Sequence, residues 1–120
     1  NPNVMTWFEA VPSDILYLSV LVTGDIRRGV ESFRPRDPRQ AAALEAWLSS
    51  FIIEFAERVL PVTAEIADEW GGMSVPNRPP TADGLIAATA KVHRMTLVTR
   101  DVGFLANLGV AIFNPFEQPE

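Results

Sequence analysis

Three aspartates lie next to segments that the sequence predicts to be regular structure, and carboxylates placed in this way can hold a metal ion. Asp25 lies a turn and a half of helix beyond the apolar run 16–19, Asp101 follows the run 96–99 through Arg100, and Asp83 opens a predicted helix between them. Open α/β sheets carry their chemistry at the carboxyl ends of the strands, so we expect the three side chains at one sheet edge. Crowded carboxylates repel one another unless a cation lies between them, which predicts a divalent, oxygen-ligated metal site.

Each aspartate also has an ordinary explanation when it is considered alone. Asp25 could pair with Arg28 three residues on, Asp83 could be a first-turn acid favoured by the helix dipole, and Asp101 could cap a turn. Other catalytic devices are missing from the sequence, which has neither a phosphate-binding glycine loop nor a Gly-x-Ser-x-Gly elbow. The one histidine, His93, is predicted near the end of the helix that Asp83 opens, where a helix-end role suits it better than general-base catalysis.

Composition limits the class of protein. The 120 residues suit a single domain, the absence of cysteine excludes disulfides and thiolate chemistry, and no apolar run reaches the roughly 18 residues of a membrane span. We therefore expect a cytoplasmic, soluble protein with no membrane partner. The net charge of −5 argues against tight binding of nucleic acid by bulk electrostatics, although the basic residues clustered between positions 27 and 39 are either a local polyanion-binding patch or a solvated edge.

The segment that carries Asp25 reads as a strand followed by a helix. Ile15–Ser19 is the predicted strand, and Ser19 is the predicted N-cap of a helix that runs to about Arg28 and stops at Gly29. Asp25 shares a helix face with Leu21 and Val22, so we expect its side chain on the core side. A loop is expected over residues 31–36.

A longer helix is predicted next. Asp37 and Pro38 form a strong helix start, and the helix should run to about Glu57. Its apolar residues cover more than one stripe, so we expect Trp47 or Phe51 to contact a second chain. The alternative is complete burial of this helix inside its own domain.

The remaining chain alternates strands and helices. This pattern predicts an α/β fold with a parallel sheet and helices on both faces. The predicted elements are an edge strand over 58–62, a helix that Thr63 caps and that ends near 71–72, a helix capped by Thr81, a strand over 96–99, a short helix over 103–108 and a strand over 110–113.

Four stretches of this sequence together resemble the PIN-domain toxins of the VapC and FitB type. They occur in the order found in that family and span nearly the whole chain. The stretches are Tyr17-Leu18-Ser19-Val20-Leu21 with Gly24-Asp25-Ile26-Arg27-Arg28-Gly29, then Ala82-Asp83-Gly84-Leu85-Ile86-Ala87-Ala88-Thr89-Ala90, then Leu97-Val98-Thr99-Arg100-Asp101, and finally Phe113-Asn114-Pro115-Phe116.

The resemblance implies a three-layer PIN-like fold and a metal-dependent nuclease. Proteins of this type are Mg²⁺- or Mn²⁺-dependent endoribonucleases of prokaryotic toxin–antitoxin pairs, usually homodimers held inactive by a cognate antitoxin. Asp83 and Asp101 match the third and fourth acids of the family's metal site, and Thr99 matches a polar residue that supports it. Asp25 matches the second acid, which is usually a glutamate and reaches one methylene further. Arg27, Arg28 or Arg100 could contact RNA phosphates, and the alternative is that they are ordinary surface charges.

The beginning of the chain departs from the family pattern. PIN toxins open with a central strand ending in Leu-Asp-Thr-Asn, whose aspartate is the first metal ligand, and no such stretch precedes Asn1-Pro2-Asn3-Val4 here. We therefore expect one domain over residues 1–120 that is incomplete at its N-terminus. The alternative function is a non-catalytic PIN-like module that binds an antitoxin or a second copy of itself.

Overall fold

The computed structural model describes residues 6–7, 9–73, 80–99 and 108–115, which fall into two compact units. One unit is Tyr17–Pro61, and the other combines the residues before and after it. Their helices and strands follow in chain order: β1 (Leu18–Ser19), α1 (Val20–Phe33), α2 (Pro38–Glu54), β2 (Val59–Leu60), α3 (Ala64–Gly71), α4 (Thr81–Val92), β3 (Leu97–Val98) and β4 (Ile112–Phe113). Within these ranges no helix is long and apolar enough to cross a membrane.

The unit Tyr17–Pro61 is a helical hairpin attached to a pair of parallel strands. β1 pairs with β2, with Leu18 opposite Val59 and Ser19 opposite Leu60. Both helix starts follow the sequence prediction because their caps are local. The Ser19 hydroxyl accepts from the Leu21 N–H at 3.2 Å, and the Asp37 carboxylate accepts from the Gln40 N–H at 3.1 Å.

Apolar packing between α1 and α2 decides where α1 ends. The predicted stop at Gly29 is wrong, because the helix continues through Val30 to Phe33, and the predicted loop therefore loses its first three residues to the helix. Val30, Ala41 and Leu48 form the buried cluster, and the partly buried Ile26, Phe33 and Leu44 pack against it. Burying Val30 and Phe33 requires one more helical turn, and this gain outweighs the cost of about 1 kcal/mol for an internal glycine.

The second unit packs α3 and α4 against a second parallel strand pair. β3 pairs with β4, with Leu97 opposite Ile112 and Val98 opposite Phe113. The core of this unit consists of buried Ile66, Met73, Ala87, Ala88 and Leu108, against which Leu97, Val110 and Ile112 pack. Thr63 caps α3 as predicted, and its hydroxyl accepts from the Ile66 N–H at 3.2 Å.

Several predicted boundaries need correction. The strands are shorter than predicted, since residues 13–15 form a 3-10 turn ahead of β1, and α2 ends at Glu54 with a second 3-10 turn over Ala56–Arg58. Thr81 is the first residue of α4 rather than its cap, a position taken by Pro80 without a side-chain hydrogen bond. The parallel pairing and the α/β class are confirmed. The short helix predicted over 103–108 lies outside the described residues except for Leu108.

Candidate functional site

Asp25 lies on an exposed flank of α1, outside the contact with α2. The helix buries Val30 against α2, with Ile26 and Phe33 packed beside it, whereas Asp25 is exposed. Successive helix positions are about 100° apart, so Asp25 falls roughly a quarter turn away from the Ile26 position. The prediction that Asp25 lies on the core side is therefore wrong. Leu21 does share a face of α1 with Asp25, but α1 contacts α2 through a different face.

The ordinary explanation for Asp25 is not supported either. Among the described residues, the ion pairs do not join Asp25 to Arg28, although the spacing of three residues would allow it. The carboxylate of Asp25 therefore remains available for another partner.

Asp83 lies in the first turn of α4, as predicted, and its residue is half-buried. A carboxylate in this position is stabilised by the helix dipole, so a purely structural role and a ligand role both fit it. Gly84, Ala87 and Ala88 on the same helix are buried, which fixes the orientation of α4 against its core. Asp83 is thus held at one end of a firmly packed helix.

Thr99 follows β3 directly and is held by the sheet. Its backbone N–H donates to the Phe113 carbonyl at 3.0 Å, and the Leu97 N–H donates to the Ala111 carbonyl at 2.8 Å. Thr99 therefore occupies the carboxyl end of β3, as the sequence predicts.

A tight turn joins α4 to β3. The Met95 N–H donates to the Ala90 carbonyl at 2.8 Å, which reverses the chain between helix and strand. The apolar side chains of the strand pair then pack against the Ala87 and Ala88 core. Asp83 therefore belongs to the helix that approaches this turn, and Thr99 follows the strand that leaves it.

His93 lies at the opposite end of α4. It is the C-cap residue, and ten residues of helix separate it from Asp83, or about 15 Å. The helix-end position predicted for His93 is confirmed.

One residue of the predicted metal-ligand set lies outside the described residues. Asp101, the third predicted carboxylate, lies outside the described residues, as does Arg100. Within the described ranges, no three His, Asp or Glu side chains come together as a metal-binding group. Asp25 and Asp83 belong to different units, so the three-carboxylate site stays a prediction. The donors themselves are all hard oxygen atoms, as Mg²⁺ and Mn²⁺ prefer.

A network of ion pairs joins α1 to α2 on the other flank of α1. Arg34 donates to Glu31 through Nε and Nη2, both at 2.8 Å, and to Glu45 at 3.0 Å. Arg27 donates to Glu31 at 3.2 Å and also to Glu45. The sequence reasoning missed this network. The spacing of Arg27 and Glu31 could have indicated half of it, but Glu45 lies 18 residues from Arg27 and reaches it only when the two helices pack.

The network changes the acid–base properties of its members. Hydrogen bonds from Arg34 and then from Arg27 lower the pKa of Glu31 from 4.5 to about 2. The pKa of Glu45 is also lowered, chiefly by its hydrogen bond from Arg27. The pKa values of both arginines are raised, for Arg27 chiefly through Glu45 and for Arg34 chiefly through Glu31. These four side chains therefore stay charged and paired at neutral pH.

An exposed apolar surface runs along α2. Trp47 is 50% exposed and stacks on Phe51 with ring centroids 4.9 Å apart, while Ile53 is 77% exposed. The alternative of complete burial inside the domain is therefore wrong for this helix. Ile53 lies on a different face of α2, about 120° around the helix from Trp47. The partly exposed pair of Trp47 and Phe51 is the kind of apolar patch that commonly marks a protein–protein interface.

Comparison with known proteins places this architecture in a family. The family model for the PIN domain matches residues 2–107. The chain is 31% identical to Toxin FitB of Neisseria gonorrhoeae, covering 97% of this chain and 86% of that protein. It is 28% identical to VapC ribonuclease Y4jK of Sinorhizobium fredii, covering 95% and 84% respectively. The solved structure of FitAB bound to an IR36 DNA fragment superposes with a TM-score of 0.91 at 30% identity, covering 100% of this chain and 87% of that one. The chain therefore belongs to the PIN-domain family.

Proposed function

We propose that this chain is the toxin of a toxin–antitoxin pair and acts as a Mg²⁺- or Mn²⁺-dependent endoribonuclease. The observation that supports the proposal is the position of Asp83 in the first turn of α4 and of Thr99 at the carboxyl end of β3, in a chain similar to a VapC ribonuclease. Asp25, exposed and without an ion-pair partner among the described residues, is the second proposed ligand. Asp101 is the third.

The proposed ligands suit a hard divalent ion. Three carboxylates would supply a strongly negative site, and Thr99 at the end of β3 precedes Asp101 by two residues. The ion, when bound, supplies polarisation of a phosphodiester and activation of water for attack on it. The protein then needs no nucleophile of its own, which agrees with the absence of cysteine. The role proposed for the carboxylates is to hold the ion where it would contact the phosphate.

The test is a pair of substitutions that remove charge without changing side-chain size. Asp83→Asn and Asp101→Asn should each abolish the stoichiometric binding of Mn²⁺ that calorimetry measures. Each should also abolish Mg²⁺-dependent cleavage of single-stranded RNA. Asp68→Asn is the matched control, since Asp68 is an exposed acid of α3 with no proposed role. Acidification should also release the metal, because protonated carboxylates are poor ligands.

The same experiment separates the proposal from its alternative. Full Mg²⁺-dependent cleavage by either variant would remove that aspartate from the ligand set. A wild-type chain that binds no Mn²⁺ but still binds an antitoxin would favour the non-catalytic module instead.

We also propose that a partner chain covers the exposed apolar surface of α2. The candidates are a cognate antitoxin and a second copy of this chain. The solved neighbour is a FitAB complex, which supports an antitoxin. Trp47 is the proposed anchor, because a large aromatic side chain stacked on Phe51 is preorganised for contact at little further entropic cost.

A further inference from the structure

Two neighbouring arginines on α1 point to different flanks of the helix. Arg27 comes two residues after Asp25, about 200° around the helix, and its guanidinium reaches Glu45 on α2. Arg28 comes three residues after Asp25, which leaves the two positions only about 60° apart. Helix geometry therefore places Arg28, but not Arg27, on the flank that carries the proposed metal ligand.

The available charge differs between these two arginines. Arg27 is paired with both Glu31 and Glu45, and Arg34 is paired with the same two acids. Two guanidinium groups thus face two carboxylates, and the network as a whole is neutral. It offers little attraction to a polyanion.

Arg28 carries an unneutralised charge. It is exposed, and in the part of the chain that the structure describes it forms no ion pair, even with Asp25. Positions three apart on a helix have Cβ atoms about 5–6 Å apart, close enough for a pair to form. Both side chains of this flank therefore remain available to an outside ligand.

We propose that Arg28 contacts a phosphate of the RNA substrate next to the scissile phosphate, close to the proposed metal ligand Asp25, an inference that rests on the proposed function. The planar guanidinium presents two parallel N–H groups that match two phosphate oxygens. The chain has a net charge of −5, so a cation on the same flank as Asp25 also reduces the repulsion that RNA meets there. Arg28 thereby positions the substrate, whereas Arg27 holds α1 against α2.

The experiment measures Mg²⁺-dependent cleavage of a fluorescein-labelled single-stranded RNA over a range of NaCl concentrations. Arg28→Gln should raise KM about fivefold, which corresponds to about 1 kcal/mol for an exposed ionic contact, with little change in kcat. The dependence of log KM on log salt should also become shallower by about 0.7, the value expected for one lost phosphate contact on a single strand. Arg28→Lys keeps the charge but not the planar fork, so it should restore the salt dependence and recover only part of the loss in KM.

Two controls remove the same charge elsewhere in the same unit. Arg39→Gln changes an exposed arginine in the first turn of α2, and Arg27→Gln changes the paired neighbour. Both should keep KM within about twofold of the wild-type value. Mn²⁺ binding by Arg28→Gln should be unchanged or tighter, because the substitution removes a positive charge near the metal.

The outcomes separate this inference from the proposed function. A wild-type chain that cleaves RNA, together with an Arg28→Gln variant of unchanged KM and salt dependence, would overturn the inference and leave the ribonuclease in place. An equal effect of Arg27→Gln, or loss of Mn²⁺ binding in Arg28→Gln, would also overturn it. A wild-type chain without RNA cleavage would overturn the proposed function, and the inference with it.

Discussion

Replacing Arg94 with glycine should make the protein more stable than replacing it with alanine. Arg94 has a φ of +56°, in the left-handed region that side chains other than glycine seldom adopt. Its N–H donates to the Lys91 carbonyl at 3.1 Å, and the Met95 N–H donates to the Ala90 carbonyl at 2.8 Å. This pair of bonds is a Schellman motif, in which glycine is the usual residue at the Arg94 position.

The size of the effect follows from the backbone alone. A left-handed conformation costs an L-residue about 1–2 kcal/mol, which glycine does not incur. Glycine loses about 0.5–1 kcal/mol more chain entropy on folding than alanine does. Arg94→Gly should therefore exceed Arg94→Ala in stability by about 0.5–1 kcal/mol, or about 2–4 °C in Tm for a domain of this size. Both variants lose the guanidinium, so its interaction with the helix dipole cancels in the comparison.

Thermal and urea denaturation followed by far-ultraviolet circular dichroism would measure the difference. Mn²⁺ binding should not change in either variant, because Asp83 lies at the other end of α4. If Arg94→Ala proved as stable as Arg94→Gly or more so, the turn between α4 and β3 would not require a left-handed residue.

Three further substitutions test the packing, the charges and the exposed surface. Leu48→Ala should lower the free energy of unfolding, measured in urea, by about 2–5 kcal/mol, because Leu48 is only 1% exposed. The control Ile53→Ala on the same helix should change that free energy by no more than about 0.5 kcal/mol. Equal effects of the two substitutions would contradict the described core. The depressed pKa of Glu31 contributes stability that is fully present above about pH 4.5 and is lost as the pH falls through about 2. The carboxyl ¹³C signal of Glu31 should therefore titrate with a midpoint near 2, and this midpoint should move toward 4.5 in Arg34→Gln. An unshifted midpoint in that variant would rule out Arg34 as the cause. Trp47→Glu should weaken either antitoxin binding or self-association, both measured by light scattering with and without the partner. The melting temperature of the isolated chain should stay unchanged. Unaltered association would exclude Trp47 from the interface.

Features that depend on neighbours in sequence were predictable. Ser19, Asp37 and Thr63 each cap a helix through a hydrogen bond that spans two or three residues, and each cap is found where the sequence places it. Asp83 lies in the first turn of its helix as predicted, although the cap predicted at Thr81 is not formed. Alternating strands and helices also predicted the parallel pairing correctly, because a parallel connection needs a crossover segment.

Features that depend on which surfaces meet were not predictable in the same way. A helix has several apolar positions, and only its packing partner decides which of them become buried. Because α2 packs on Ile26, Val30 and Phe33, α1 continues past Gly29 and Asp25 faces away from the α1–α2 contact. The same contact brings Glu45 to Arg27 across 18 residues of sequence and leaves Arg28 unpaired among the described residues. The sequence by itself thus determined the residue types and the local caps of the candidate site, whereas the tertiary structure decided which flank of α1 carries an available charge, since long-range contacts form only when the helices pack.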